Sequence, residues 1–293
     1  MSLFIFQAES ISTAGSQQKL NFMTSGYHIA NFFIEAGWFP AAERVLTTIL
    51  ELHVKSSPQD EKELTNDSSP KEVGLFLSSF STKSTGVMVD VLIFHVKIKL
   101  LCSLTLYSRF NEANKLAQDL EEEIKRKQMD QTKHDFDVCQ AYNQFAFLSA
   151  AQMQYKSAYK YSNLAVENIT DFTSRLAVVD IFRMTSMVCL ARRDLETANY
   201  LLKNALMICH DLFNLQNEDD LADISRFHPI YGDLLVFWAY YNHCIDCPKQ
   251  SVMLYEKALR FRRCYFAGSP SEECTNLLVA VVHQELGKKD PNL

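Results

Sequence analysis

One short pattern returns along this chain and constrains its fold more than any single residue does. In "WFPAAERVL", "SRFNEANKLAQDL", "QYKSAYKYSNLA" and "RDLETANYLLKNAL" an aromatic residue or Leu is followed three positions later by Ala. The anchors are Ala42, Ala113, Ala158 and Ala198, with a looser fifth block at Ser251. Four and seven residues after them come Leu46 and Ile49, Ala117 and Leu120, Ser162 and Ala165, Leu202 and Ala205, Tyr255 and Ala258. Offsets of four and seven trace one stripe of an α-helix, so each block predicts an amphipathic helix turned towards a neighbour. Twelve residues before each anchor stand Ala30, Leu101, Ala146, Ser186 and Ala239. They belong to an earlier helix, joined by a short turn, and a small residue at the crossing lets two antiparallel helices approach closely.

The expected fold is therefore all-α, an α-solenoid of tetratricopeptide-like helical hairpins, about five of them and the start of a sixth. The intervals between anchors all exceed the period of about 34 residues of a tetratricopeptide repeat, so the excess must lie in longer helices and in connections. Sequence punctuation divides the chain into an N-terminal segment 1–21, a first hairpin 22–54, a polar Pro- and Ser-bearing insertion 55–74, stacked hairpins over 75–286 and a tail 287–293. A second insertion, 214–229, ends in His228-Pro229 before "IYGDLLVFWAYY", which predicts a new helix holding a buried Trp238.

Composition agrees. Apolar residues make up 47% of the chain, enough for a sizeable core, and only 8 Gly and 7 Pro interrupt it, which favours helix. A charge of −6 with scattered Lys and Arg argues against a nucleic-acid partner, which needs a clustered cationic field. Cys102, Cys139, Cys189 and Cys209 sit in apolar runs, as buried thiols in a reducing compartment do. "MSLFIF" has no cationic start and no cleavage site, and no apolar run approaches bilayer-spanning length. The expectation is a soluble protein without a transmembrane segment.

The order alanine block, Phe, His-Pro and new helix resembles the extended repeats of kinesin light chains. Within that class, "FFIEAGWFPAAERVL", "VVDIFRMTSMVCLARRDLETANYLLKNA" and "QSVMLYEKALRFRRCYFAG" resemble the amyloid protein-binding protein 2 family from about Gly26 to about Leu286. The resemblance implies a tetratricopeptide-repeat protein that binds the cytoplasmic tail of the amyloid precursor protein and associates with microtubules. It also implies a substrate receptor of a cullin-RING ubiquitin ligase, working with elongin and cullin subunits and reading C-terminal degrons of the Arg-x-x-Gly type. A cytoplasmic, nuclear or microtubule-associated location goes with it. In such proteins the adaptor-docking segment precedes the part matched here.

In stacked hairpins the first helices form the inner wall, where an extended peptide lies. Counting eighteen, fifteen and eleven residues back from each anchor gives Thr24, Tyr27 and Asn31; His95, Ile98 and Cys102; Gln140, Asn143 and Phe147; Asp180, Arg183 and Met187. Of these, Tyr27, Asn31, Gln140, Asn143, Asp180 and Arg183 are the candidate peptide-binding residues. Amide side chains can bond an extended backbone, and charges select end groups. Arg183 could fork onto a ligand carboxylate and Asp180 accept from a ligand Arg; the plainer alternative is an ordinary pair along one helix.

No catalytic residue or cofactor is expected, since there is no H-E-x-x-H, G-x-S-x-G or phosphate-cradling Gly-rich loop. The chain reads as a non-enzyme. His243-Cys244 and Cys247 form a C-x-x-C beside an imidazole, but a structural zinc needs four ligands and no second pair stands at the usual spacing, so no metal is expected. Turn and packing cysteines are the default there.

Overall fold

The structure is a computed structural model, and it describes residues 16–56, 85–129, 138–171, 173–213 and 228–289. Those residues form eleven helices with no strand among them: α1 (Ser16–Ala36), α2 (Phe39–Ser56), α3 (Thr85–Leu106), α4 (Phe110–Met129), α5 (Val138–Ala151), α6 (Tyr155–Glu167), α7 (Arg175–Ala191), α8 (Leu195–Phe213), α9 (Ile230–Cys244), α10 (Pro248–Phe266) and α11 (Pro270–Lys289). The all-α solenoid of helical hairpins is the observed architecture. Segment 1–15, the insertion from 57 to 74, the connection 214–227 and the tail from 290 on lie outside the described residues. None of the helices described is long and apolar enough to cross a membrane.

The hairpin turns repeat one backbone plan. In each, the residue five before the anchor is left-handed: Gly37 (φ 83°), Ser108 (59°), Met153 (60°), Arg193 (61°) and Asp246 (60°). The next N–H reaches back five residues to a helix carbonyl, at 2.8 Å for Trp38 to Phe33, 2.9 Å for Arg109 to Leu104, 2.8 Å for Gln154 to Ser149, 2.9 Å for Asp194 to Cys189 and 2.9 Å for Cys247 to Asn242. This is the Schellman ending, in which a left-handed residue turns the chain and satisfies the last carbonyls of the helix. Gly is the usual occupant. Four of these five turns use a residue with a side chain instead.

Packing follows the anchors. Ala42, Ala113, Ala158, Ala198 and Ser251 are fully buried, and so are the residues seven after each. The Ser251 hydroxyl donates to the Ala239 carbonyl at 2.8 Å, which joins the anchor to the crossing residue twelve before it. At the α9–α10 crossing a Cβ on Gly232 would stand 2.9 Å from Cβ of Phe261, so only Gly lets these helices meet.

The chain divides into two compact units, Met1–Ile34 with Trp38–Asp137, and Glu35–Gly37 with Val138–Leu293. In the first, Leu20, Met23, Tyr27 and Ala30 of α1 pack with Leu46 and Ile49 of α2 and with Leu92, Ile93 and Val96 of α3. On α4 Lys125 stands beside Glu121 at 3.5 Å, while Glu123 reaches Lys97 of α3 at 2.8 Å.

The second unit holds the pairs α5/α6, α7/α8 and α9/α10, followed by α11. Its first helices also meet one another, α7 touching both α5 and α9. Side-chain caps start several of its helices: Ser174 Oγ accepts from Ala177 N at 3.2 Å, Asp194 Oδ1 from Thr197 N at 3.2 Å and Ser269 Oγ from Glu272 N at 3.3 Å. His228-Pro229 stands immediately before α9, and His228 Nδ1 accepts from Ile230 N at 3.2 Å. Trp238 differs from expectation. It is half-buried, because the crossing residue Ala239 and the core residues Leu234 and Leu235 take the inner faces of α9.

Candidate functional site

The first-helix face of the second unit carries a ladder of polar side chains. Asn143 of α5 donates from Nδ2 to Asp180 Oδ2 of α7 at 3.0 Å. One turn along α7, Arg183 donates from Nε to Asp180 Oδ1 at 3.2 Å and pairs with the same carboxylate through Nη2. Its Nη1 lies 3.8 Å from Asp233 Oδ2 of α9, and its guanidinium stands 5.1 Å from the centre of the Phe237 ring. Asp233 in turn pairs with Arg262 of α10. Four charges alternate in sign across α7, α9 and α10, with side-chain exposures of 27, 17, 20 and 12% from Asp180 to Arg262.

The rungs obey the repeat register. Asp180 and Asp233 both stand eighteen residues before their anchors, Ala198 and Ser251. Each meets the residue fifteen before the preceding anchor, Asn143 and Arg183 respectively. Sequence reasoning named Asn143, Asp180 and Arg183 but not Asp233 or Arg262. Extending the same count to the fifth block yields Asp233, Val236 and Tyr240; Arg262 lies on a second helix, where no single-helix register would find it.

The ladder's last cation also reaches beyond it, Arg262 Nη1 donating to the Glu35 carbonyl at 3.3 Å. Burial pushes Arg262 down to about 10, and the like charge of Arg183 pushes the same way, yet it stays charged at neutral pH. Arg183 acts inside the chain in this structure, as more than a pair along one helix. Asn143 Oδ1 is buried with no hydrogen-bond partner among the described residues. Gln140, a turn earlier on α5, is half-buried.

Beside the ladder runs a second stripe, eleven residues before the anchors: Phe147 and Met187, half-buried, and Tyr240, exposed. In the first unit the same register puts Tyr27 in the core and Asn31 half-buried, with Oδ1 of Asn31 buried and without a hydrogen-bond partner among the described residues. The structure thus brings Asn143, Asp180 and Arg183 together.

The C-x-x-C cysteines are not packing cysteines: Cys244 and Cys247 are both exposed, at the turn between α9 and α10. Cys139, Cys189 and Cys209 are buried as expected, and Cys102 is half-buried. Among the described residues no group of three or more His, Cys, Asp or Glu is placed to hold a metal.

No family model matches the chain. Over 263 residues, 89% of its length, it is 27% identical to the amyloid protein-binding protein 2 of Rattus norvegicus and to that of Mus musculus. It spans 37% of the length of those curated relatives. The likeness carried by the order of the repeat blocks is thus a measured similarity to amyloid protein-binding protein 2, extending over nearly nine-tenths of this chain.

Proposed function

We propose that this chain is a non-enzymatic protein-binding adaptor that captures a peptide or protein tail along the first-helix face of α5, α7 and α9. The observation that carries the reading is the register ladder. Three successive helices present equivalent positions side by side, a polar row from Gln140 to Asp233 next to an apolar row from Phe147 to Tyr240. Such an arrangement offers hydrogen bonds to an extended backbone and pockets to its side chains. Gln140, Asp180 and Arg183 meet the ligand, with Asn143 supporting them from beneath; in the first unit Tyr27 is enclosed in the core, and Asn31 takes the position equivalent to Phe147 and Met187.

The finer reading is a substrate receptor of a cullin-RING ubiquitin ligase that recognises C-terminal degrons. It rests on the family resemblance. The alternative, a microtubule-associated cargo adaptor that holds the amyloid precursor protein tail, rests on the same resemblance; the name the relatives carry says only that they bind amyloid protein.

The test is fluorescence anisotropy with two labelled probes, the amyloid precursor protein cytoplasmic tail and a peptide ending in Arg-x-x-Gly, each also as its C-terminal amide. Binding of either probe that falls at least about tenfold with Met187→Glu supports the adaptor reading, about 1.4 kcal/mol. Loss on amidation supports the degron version, and equal affinity removes Arg183 as a carboxylate clamp. If neither probe binds, or Met187→Glu changes nothing, the face is not the site. Co-purification of elongin and cullin, as against tubulin or motor subunits, separates the two finer readings.

A further inference from the structure

We infer that Arg262 is a positioning residue of the ligand face: by holding Asp233 it keeps Nη1 of Arg183 open to take a carboxylate of the bound chain. The carboxylate rests on the adaptor reading; the restraint on Asp233 does not.

Arg183 has Nε, Nη1 and Nη2 to donate from. Nε and Nη2 are both turned to Oδ1 of Asp180. Nη1 makes no hydrogen bond among the described residues, and Oδ2 of Asp233 stands 3.8 Å from it. Asp180 is no comparable opening, because it already accepts from Asn143 on Oδ2 and from both of those Arg183 nitrogens on Oδ1. What the ladder leaves open is therefore a cationic donor, and the group that fits it is an anionic acceptor such as a carboxylate.

The carboxylate of Asp233 would fill that opening itself if it were free to move, since a shift of about 1 Å brings it to hydrogen-bond distance of Nη1. Arg262 draws it the other way. Its Nη2 donates to Oδ1 of Asp233, its Nη1 to the Glu35 carbonyl at 3.3 Å, and its guanidinium stands 5.8 Å from the centre of the Phe266 ring. Glu35 and Phe266 lie in the same compact unit as the ladder. Held from several sides and only 12% exposed, the Arg262 side chain is a fixed cation that ties Asp233 to α10. Burial, and after it the like charge of Arg183, pushes Arg262 down to about 10, which leaves it charged at neutral pH. Arg262 sits on a second helix and acts on the ligand face through Asp233 alone.

The experiment uses the full chain and phenylglyoxal, which modifies guanidinium groups, with the reaction at Arg183 followed by peptide mass spectrometry. Arg262→Met should slow that reaction about tenfold, the effect of one added charge-assisted hydrogen bond from Arg183 to the released Asp233. Arg262→Met/Asp233→Asn should restore it, and Arg262→Lys, which keeps a cation beside Asp233, should stay near the wild-type rate. If Arg262→Met does not fold, Arg262→Gln, neutral but still able to donate to Glu35, takes its place. An unchanged or faster reaction in the folded neutral variant overturns the proposal, and so does a slowed reaction that Asp233→Asn fails to restore. Anisotropy with the two peptide probes then reads the ligand separately. Preference for the free acid over the amide should fall about tenfold in Arg262→Met and return in Arg262→Met/Asp233→Asn. A probe that binds with no acid preference, or with one that Arg262→Met leaves unchanged, overturns the carboxylate role. If Arg183 responds as expected while neither probe binds, the adaptor reading alone fails and the restraint on Asp233 stands.

Discussion

The hydroxyl of Ser251 donates to the carbonyl of Ala239 at 2.8 Å, at a crossing where both residues are fully buried. Four of the five anchors are Ala and do without this bond. Ser251→Ala should therefore cost about 1 kcal/mol or less, the net value of one hydrogen bond, because the freed carbonyl belongs to a helix. Ser251→Leu should cost at least about 1–3 kcal/mol through overpacking. Urea denaturation midpoints check both, and equal effects would mean that volume is not what the crossing selects.

Arg193 is exposed and left-handed, with φ 61°. A side chain there costs roughly 1–2 kcal/mol of backbone strain, partly offset by the freedom that Gly gains on unfolding. Arg193→Gly should raise stability by about 0.5–1 kcal/mol, read as a higher urea midpoint at unchanged slope.

Asp233 accepts a hydrogen bond from Arg262 and stands 3.8 Å from Arg183 Nη1, so one carboxylate neighbours both guanidinium groups. Asp233→Asn leaves two largely enclosed guanidinium groups without their shared carboxylate and should cost about 2–4 kcal/mol. In a double-mutant cycle with Arg262→Met the two losses should be markedly non-additive. Additive losses would mean that the pair contributes nothing beyond its separate side chains.

Alkaline pH should destabilise the second unit. Burial raises Cys189 to about 11 and Cys209 to about 12 from an ordinary 9, and Tyr255 to about 12 from 10. Since these groups ionise more easily when unfolded, their contribution is intact below pH 9 and is lost as pH climbs towards 11 and 12. The slope approaches roughly 1.4 kcal/mol per pH unit for each group. Cys209→Ala should flatten that limb between pH 9 and 11 in thermal melts.

Legibility in the sequence depended on where the signal lay. The anchors were readable because helix contacts repeat at offsets of four and seven, and the burial of Ala42, Ala113, Ala158, Ala198 and Ser251 bears this out. The turns were readable only as short breaks. Nothing in Ser108, Met153 or Arg193 announces a left-handed backbone, Asp246 signals it only weakly, and Gly would have signalled it outright. The Asp180–Arg183 pair was visible from its spacing of three. Its continuation to Asp233 and Arg262 joins separate hairpins, and no local period encodes such a contact. Trp238 misled because an apolar run suggests burial on every side, whereas α9 turns part of its surface outward.

The five like-handed corners bear on how a chain of this kind can grow. Since every bend is set by its own backbone within a few residues, the stretches that link one pair to the next can lengthen or shrink without disturbing any corner. Insertions then become cheap, and pairs can be duplicated or lost as whole modules.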